Sequence, residues 1–240
     1  MIRARPAVVA MLSALLVLGP VGPPATAAGT PGQNFDLRAF KLQLPISSGS
    51  GVVEIRQPQL ATYSSAYFFT RADGAMTFWC PVTGGTTSGS SYPRSELRDN
   101  REWSLGGTHR QSGSLKVLQQ PSTGRLIFAQ VKGHASGSEM LKLRWADGSV
   151  LVGTKASVGA TEVKRTLLTG LPLGTTITYV IEIVGFRAQV SVNGKVLVHN
   201  LDSTWAPDTY YFKAGAYTED YAGPASEGGR TAFYQFNPGG

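Results

Sequence analysis

Ile177-Thr178-Tyr179-Val180-Ile181-Glu182-Ile183 is the stretch on which the fold turns. Ile177, Tyr179, Ile181 and Ile183 share one face of an extended chain, and Thr178, Val180 and Glu182 share the other. That period of two marks a strand with one buried side. Beyond it, Ser191-Val192-Asn193-Gly194-Lys195-Val196 sets Asn-Gly between two apolar segments, the pair a type I′ hairpin favours. Trp145-Ala146-Asp147-Gly148-Ser149-Val150 repeats the signal, and Arg71-Ala72-Asp73-Gly74 marks another turn. The alternation recurs from about Asp36 to Phe236, punctuated by 29 Gly and 14 Pro. No long amphipathic helix and no internal repeat interrupts it. The Gly/Ser/Thr-rich stretch Thr83–Ser91 reads as a mobile loop. The expected fold is an all-β jelly-roll sandwich of two antiparallel sheets.

Composition narrows the function classes. The 240 residues are 42% hydrophobic and 15% charged, which excludes a disordered chain. A single cysteine, Cys80, excludes an intrachain disulfide framework and a Cys-rich zinc site, and reads as a buried thiol. His109, His134 and His199 are too scattered for an HExxH metal site, and no other metal-ligand cluster is seen. Residues 1–27 read as a signal peptide. Arg3 and Arg5 precede the apolar run Ala7–Leu18, which is short of the about 20 residues of a membrane helix, and Ala25-Thr26-Ala27 is a cleavage signature. The expectation is a secreted, extracellular protein, with one domain over residues 28–240 and no membrane span. Its formal charge of +7 becomes +5 without Arg3 and Arg5, which suits a polyanionic partner. No Lys/Arg run or nucleic-acid motif is present, so nucleic acid is not expected.

Three strands carry polar faces that a plain sandwich would not need. In Tyr92-Pro93-Arg94-Ser95-Glu96-Leu97-Arg98-Asp99-Asn100, the side chains of Arg94, Glu96, Arg98 and Asn100 point one way. In Phe128-Ala129-Gln130-Val131-Lys132-Gly133-His134, alternation groups Gln130, Lys132 and His134. In Tyr210–Glu219, it groups Tyr211, Lys213, Gly215, Tyr217 and Glu219, and the glycine invites a close approach to the backbone. Solvated outer faces would look the same in each case.

RSELR (Arg94–Arg98), the Gln130-centred strand and YFKAGAY (Tyr211–Tyr217), in this order, resemble the alginate lyase 2 superfamily. The likeness is to polysaccharide lyase family 7, with the glucuronan lyases of family 20 as a relative, and it spans nearly the whole chain after residue 27. It implies a concave sheet that binds an acidic polysaccharide, and β-elimination at a 4-linked uronic acid. The C5 proton to be removed lies α to a carboxylate that resists further negative charge, so preorganised donors must neutralise it. The family pattern assigns that to Arg94, whose guanidinium is a bidentate fork, and to Gln130. It assigns proton transfer to Tyr217, as base and then acid. A free phenol has a pKa of about 10, and Arg94, Arg98 and Lys213 are the cations expected to favour phenolate. Arg98, Lys132, Lys213, Glu96, Tyr211 and His134 are the expected substrate-binding residues, with Glu96 orienting the two arginines. The resemblance implies no cofactor, and a monomer is expected.

The sequence departs from the family at two places. The family reads Gln-Ile-His or Gln-Val-His where this chain has Gln130-Val131-Lys132, and the His that glucuronan lyases place before RxELR is also missing. His134, about 7 Å further along the strand, is the candidate to compensate. In mannuronate and glucuronate the C5 hydrogen and O4 are syn, so one residue can serve both proton transfers. In guluronate they are anti and need a second group. Polymannuronate or a β-1,4-glucuronan is therefore favoured. Glu219 stands where the family often has Gln and needs a cation, Lys213 or Lys132, to sit beside an acidic substrate. Two other classes compete. A glycoside hydrolase needs paired carboxylates, but Glu96 and Asp99 fall on opposite faces. A non-catalytic acidic-polysaccharide-binding module would keep the scaffold without the chemistry.

Overall fold

The computed structural model describes Met1 and residues 29–239, so the expected signal peptide, Met1 apart, lies outside the described residues. Fifteen strands follow a short helical turn at Pro31–Asn34. They are β1 (Phe40–Ser48), β2 (Gly51–Ile55), β3 (Phe68–Thr70), β4 (Met76–Pro81), β5 (Arg94–Asp99), β6 (Thr108–Gln119), β7 (Arg125–Gly133), β8 (Glu139–Ala146), β9 (Ser149–Thr154), β10 (Val163–Leu168), β11 (Thr176–Val184), β12 (Arg187–Val192), β13 (Lys195–Asn200), β14 (Tyr210–Thr218) and β15 (Gly228–Asn237). They form two antiparallel sheets, the jelly-roll sandwich expected. One has eight strands in the order β10-β9-β8-β7-β14-β5-β1-β2. The other has seven, ordered β13-β12-β11-β6-β15-β4-β3. Among the described residues no helix is long and apolar enough to cross a membrane.

The alternation that announced β11 is realised. Ile177, Tyr179, Ile181 and Ile183 are buried and Thr178 faces out. At the next turn but one, Asn193 and Gly194 take φ of 45° and 81°, the left-handed pair of a type I′ turn. Asp147-Gly148 repeats it between β8 and β9, with φ of 45° and 77°. Apolar faces of the two sheets meet through pairs such as Phe40 with Phe236, ring centroids 5.5 Å apart, and Phe128 with Tyr179, 5.8 Å apart. Trp145 and Trp205 belong to this core, and Cys80 is a buried free thiol whose pKa burial pushes up to about 12.

β14 lies between β5 and β7 in the middle of the eight-stranded sheet, although those strands are far apart in sequence. Phe212, Ala214 and Ala216 turn into the core, so Tyr211, Lys213 and Tyr217 turn to the opposite face. Gly215, at φ 154°, is where a backbone does come close. A Cβ there would lie 2.4 Å from the Ser95 carbonyl oxygen and 2.7 Å from the Glu96 Cα. The glycine admits the neighbouring strand β5.

Candidate active site

Strand register assembles the site. Tyr217 pairs with Arg94, Gly215 with Glu96, and Lys213 with Arg98 on one side and Gln130 on the other. Tyr211 faces Lys132, while β1 sets Lys41 beside Arg98 and Gln43 beside Glu96. All three expected chemical groups therefore share one face of one sheet.

A buried polar layer lies under that face. Glu96 is fully buried. One of its oxygens accepts the Gln130 amide at 2.5 Å; the other is 2.5 Å from the Lys213 Nζ and 3.6 Å from the Arg94 Nη1. Lys213 also donates to the Gln43 Oε1 at 2.8 Å. A carboxylate taken out of water is tolerated only with such partners. Burial pulls Lys213 down to about 7 and the Arg94 charge adds to this, while Glu96 opposes it.

Above this layer, the Arg94 guanidinium lies over the Tyr217 ring, 4.2 Å from its centroid. The Ser90 Oγ accepts from the Arg94 Nη2 at 2.7 Å and lies 3.0 Å from the Tyr217 Oη, so one hydroxyl joins cation and phenol. Burial raises the Tyr217 pKa; Arg94 and Ser90 pull it down without overcoming that. A second stack stands further along β14, with Arg98 4.0 Å above the Tyr211 ring and bonded to Glu102 at 2.6 Å. Lys132 is 3.7 Å from Glu139, which Lys155 and Lys142 approach to 3.5 and 3.9 Å. Burial alone would raise Glu139, but these ammonium groups hold it below its usual range.

Arg94, Gln130 and Tyr217 thus fall in one cluster, with Tyr211, Arg98 and Lys132 on the same face. Several expected placements need correction. Glu96, Lys213 and Gln130 lie beneath the surface and not on it, because Glu96 meets the Lys213 charge there and accepts the Gln130 amide. Glu96 reaches Arg94 but not Arg98, which Glu102 holds instead. Of the three cations expected to act on the Tyr217 phenol, Arg94 stacks on its ring and lowers its pKa, while Lys213 is paired with Glu96 and Arg98 with Glu102. His134 lies past the end of β7. Its ring bonds Glu102 at 2.5 Å and its N–H bonds the Thr209 carbonyl, at the end of β14 remote from Tyr217, so it does not take the place of the strand His. Glu219 finds its cation in Arg144, not in Lys213 or Lys132, and Arg144 also pairs with Glu162 at 3.3 Å. Ser90, Arg144 and Glu139 were not singled out by sequence. For Ser90 the available signal was a hydroxyl-rich loop running straight into the Arg94 strand, and for Arg98 an acid four residues on at Glu102; Arg144 and Glu139 needed the strand order.

Chemically, the cluster offers a fork and an amide for an acidic group, and a phenol beside a fixed positive charge. That combination suits proton removal from carbon next to a carboxylate.

Comparison with known proteins agrees with the geometry. The family model described as alginate lyase matches residues 35–238. The crystal structure of alginate lyase A1-II', a member of polysaccharide lyase family 7, superposes with a TM-score of 0.80 at 36% identity, over 87% of this chain and 97% of that one. The same lyase has been solved as a double variant in complex with substrate (GGMG). An alginate lyase from Pseudomonas aeruginosa gives a TM-score of 0.78 at 33% identity, over 85% and 98% of the two chains. A curated alginate lyase of Klebsiella pneumoniae is 26% identical, over 89% of this chain and 92% of its own length.

Proposed function

Since the chain belongs to the alginate lyase family, polysaccharide lyase family 7, we propose that it cleaves alginate by β-elimination at the Arg94–Gln130–Tyr217 cluster, leaving 4,5-unsaturated uronate ends. The observation that carries this reading is the convergence of a guanidinium, an amide and a phenol from β5, β7 and β14 on one face. Arg94 and Gln130 neutralise the C6 carboxylate of the bound uronate, so that charge can move onto it as the C5 proton leaves. Tyr217 acts in its phenolate form, the minor form at neutral pH because burial raises its pKa, taking that proton and returning it to O4 as the C4–O4 bond breaks. The phenolate is regenerated, and the electron pair of the C5–H bond becomes the C4–C5 double bond.

Lys132 in place of the family's strand His is the ground for the finer proposal, a preference for polymannuronate. A syn elimination needs only Tyr217; an anti elimination needs a second base. Lys132 faces the acid Glu139, whose charge also pushes the Tyr217 pKa upward. Export is part of the proposal too: residues 1–27 direct the chain out of the cell, and a monomer works there on an acidic polysaccharide.

Ultraviolet absorbance of unsaturated uronates tests the whole reading. Wild-type protein should produce the signal on alginate, and Tyr217→Phe should lose it while still binding the polymer. A Tyr217→Phe protein that keeps its activity would remove Tyr217 from the proton transfers. Polymannuronate, polyguluronate, glucuronan and hyaluronan, assayed side by side, should rank polymannuronate above polyguluronate; the reverse order sinks the syn argument. Binding to alginate with no absorbance from any polymer would identify a binding module instead.

A further inference from the structure

Tyr221 is 70% exposed, more than any other large hydrophobic side chain in residues 29–239. It is an aromatic ring in water, yet it is held in place. Asp220 is 4% exposed. One of its oxygens accepts from the N–H groups of Tyr221 and Ala222 at 2.8 and 3.1 Å. The other accepts from the Ser122 hydroxyl and the Thr123 N–H at 3.1 and 3.2 Å. Glu227 accepts the Ser122 N–H at 2.6 Å, so the carboxylates around this turn are engaged in fixing it. The Tyr221 ring lies nearly parallel to that of Tyr92, centroids 5.9 Å apart at 25°. Tyr92 in turn meets Tyr217 edge-on at 6.3 Å. Three tyrosines, from the loop before β5, from β14 and from the turn after it, thus form a continuous aromatic row leading outward from the phenol of the cluster.

We propose that Tyr221, backed by Tyr92, is a sugar-stacking platform that extends the binding face past Tyr217 and takes a uronate ring one or two units from the cleavage point. The proposal rests on the lyase reading above. Its chemistry is the complement of the other end of the row. There Arg98 and Lys132 offer charge to carboxylates. Here an aromatic face offers its π surface to the C–H face of a pyranose, while the sugar's carboxylate and hydroxyls stay in water. A ring anchored through its own backbone loses little freedom on binding, which favours contact. Tyr92 supports the inner side of Tyr221 and leaves the outer side to ligand.

Tyr221→Ala, Tyr221→Phe and wild type, each assayed on polymannuronate and on a ladder of oligomannuronates, test the proposal. Tyr221→Ala should raise KM on polymer about tenfold, a loss of the size expected for one aromatic contact. Its kcat should stay within about twofold of wild type, and the shortest cleaved oligomer should show no difference. Tyr221→Phe should restore the wild-type KM, since the ring and not the hydroxyl binds. Because the contact is a stack, the ratio of the two KM values should hold as salt is raised. Equal KM for Tyr221→Ala and wild type at every length would overturn the platform, and so would a loss independent of length. The same comparison by calorimetry in a Tyr217→Phe background reads binding without turnover. A wild-type protein that makes no unsaturated product therefore fails the elimination reading alone, and unchanged polymer affinity on removing Tyr221 fails this one alone.

Discussion

Ser90 links the two groups on which the chemistry turns, and its removal has a definite sign. A hydroxyl that donates to phenolate favours the charged form and lowers its pKa. Ser90→Ala takes that bond from Tyr217, whose pKa burial already raises, and leaves Arg94 as the group pulling it down. The rising limb of kcat/KM against pH should move to higher pH in Ser90→Ala, with the loss of activity largest at neutral pH and smaller in alkaline buffer. An unshifted limb would show that Ser90 only orders the loop. Glu96 acts one layer down. Glu96→Gln leaves Lys213 and Arg94 buried without their counter-charge. Breaking a buried pair from one side costs roughly 3–5 kcal/mol, so denaturant unfolding should show a fall of that order. A change under about 1 kcal/mol would mean that the layer is hydrated.

Strand β14 carries the site because both of its faces are specialised. Its core side is Phe212, Ala214 and Ala216, and its other side is the row from Tyr211 to Tyr217. The bulge between Ala214 and Tyr217 shifts its register against β7, and Gly215 gives β5 room on the other edge. Gly215→Ala places a methyl against the Ser95 carbonyl, so β5 and β14 must separate. The expected cost is about 1–3 kcal/mol, and activity should fall because Arg94 and Tyr217 sit on the separated strands. Preserved activity in a folded Gly215→Ala protein would show that the sheet yields elsewhere. Alternation and the Asn-Gly and Asp-Gly turns were readable along the chain because they are local: each depends on φ, ψ and side-chain direction within a few residues. The burial of Lys213 was not, since period two tells which face a residue takes but not what covers it.

At the scale of the molecule, the eight-stranded sheet presents Arg98, Lys132 and Lys142 around a mixed field of acids, and a polyanion approaching it is steered by charge. Raising salt from about 0.1 M to about 1 M shortens the Debye length from about 10 to about 3 Å. KM for polymannuronate should rise severalfold over that range with kcat little changed; a flat KM would assign binding to uncharged contacts. The sandwich, its turns and the three polar-faced strands follow from the order of residues alone, because strand alternation and turn chemistry are properties of neighbours. Arg94, Gln130 and Tyr217 could be placed on those polar faces for the same reason, but it was the resemblance to the family that gave them roles. Which cation serves which acid was decided only when β5, β14 and β7, distant in the chain, came to lie side by side. Ion pairs depend on separations of a few ångströms across strands, and those separations exist only in the folded sheet. That is why Glu219 went to Arg144 and Lys213 to Glu96, whereas Arg98 met Glu102 only four residues along its own chain.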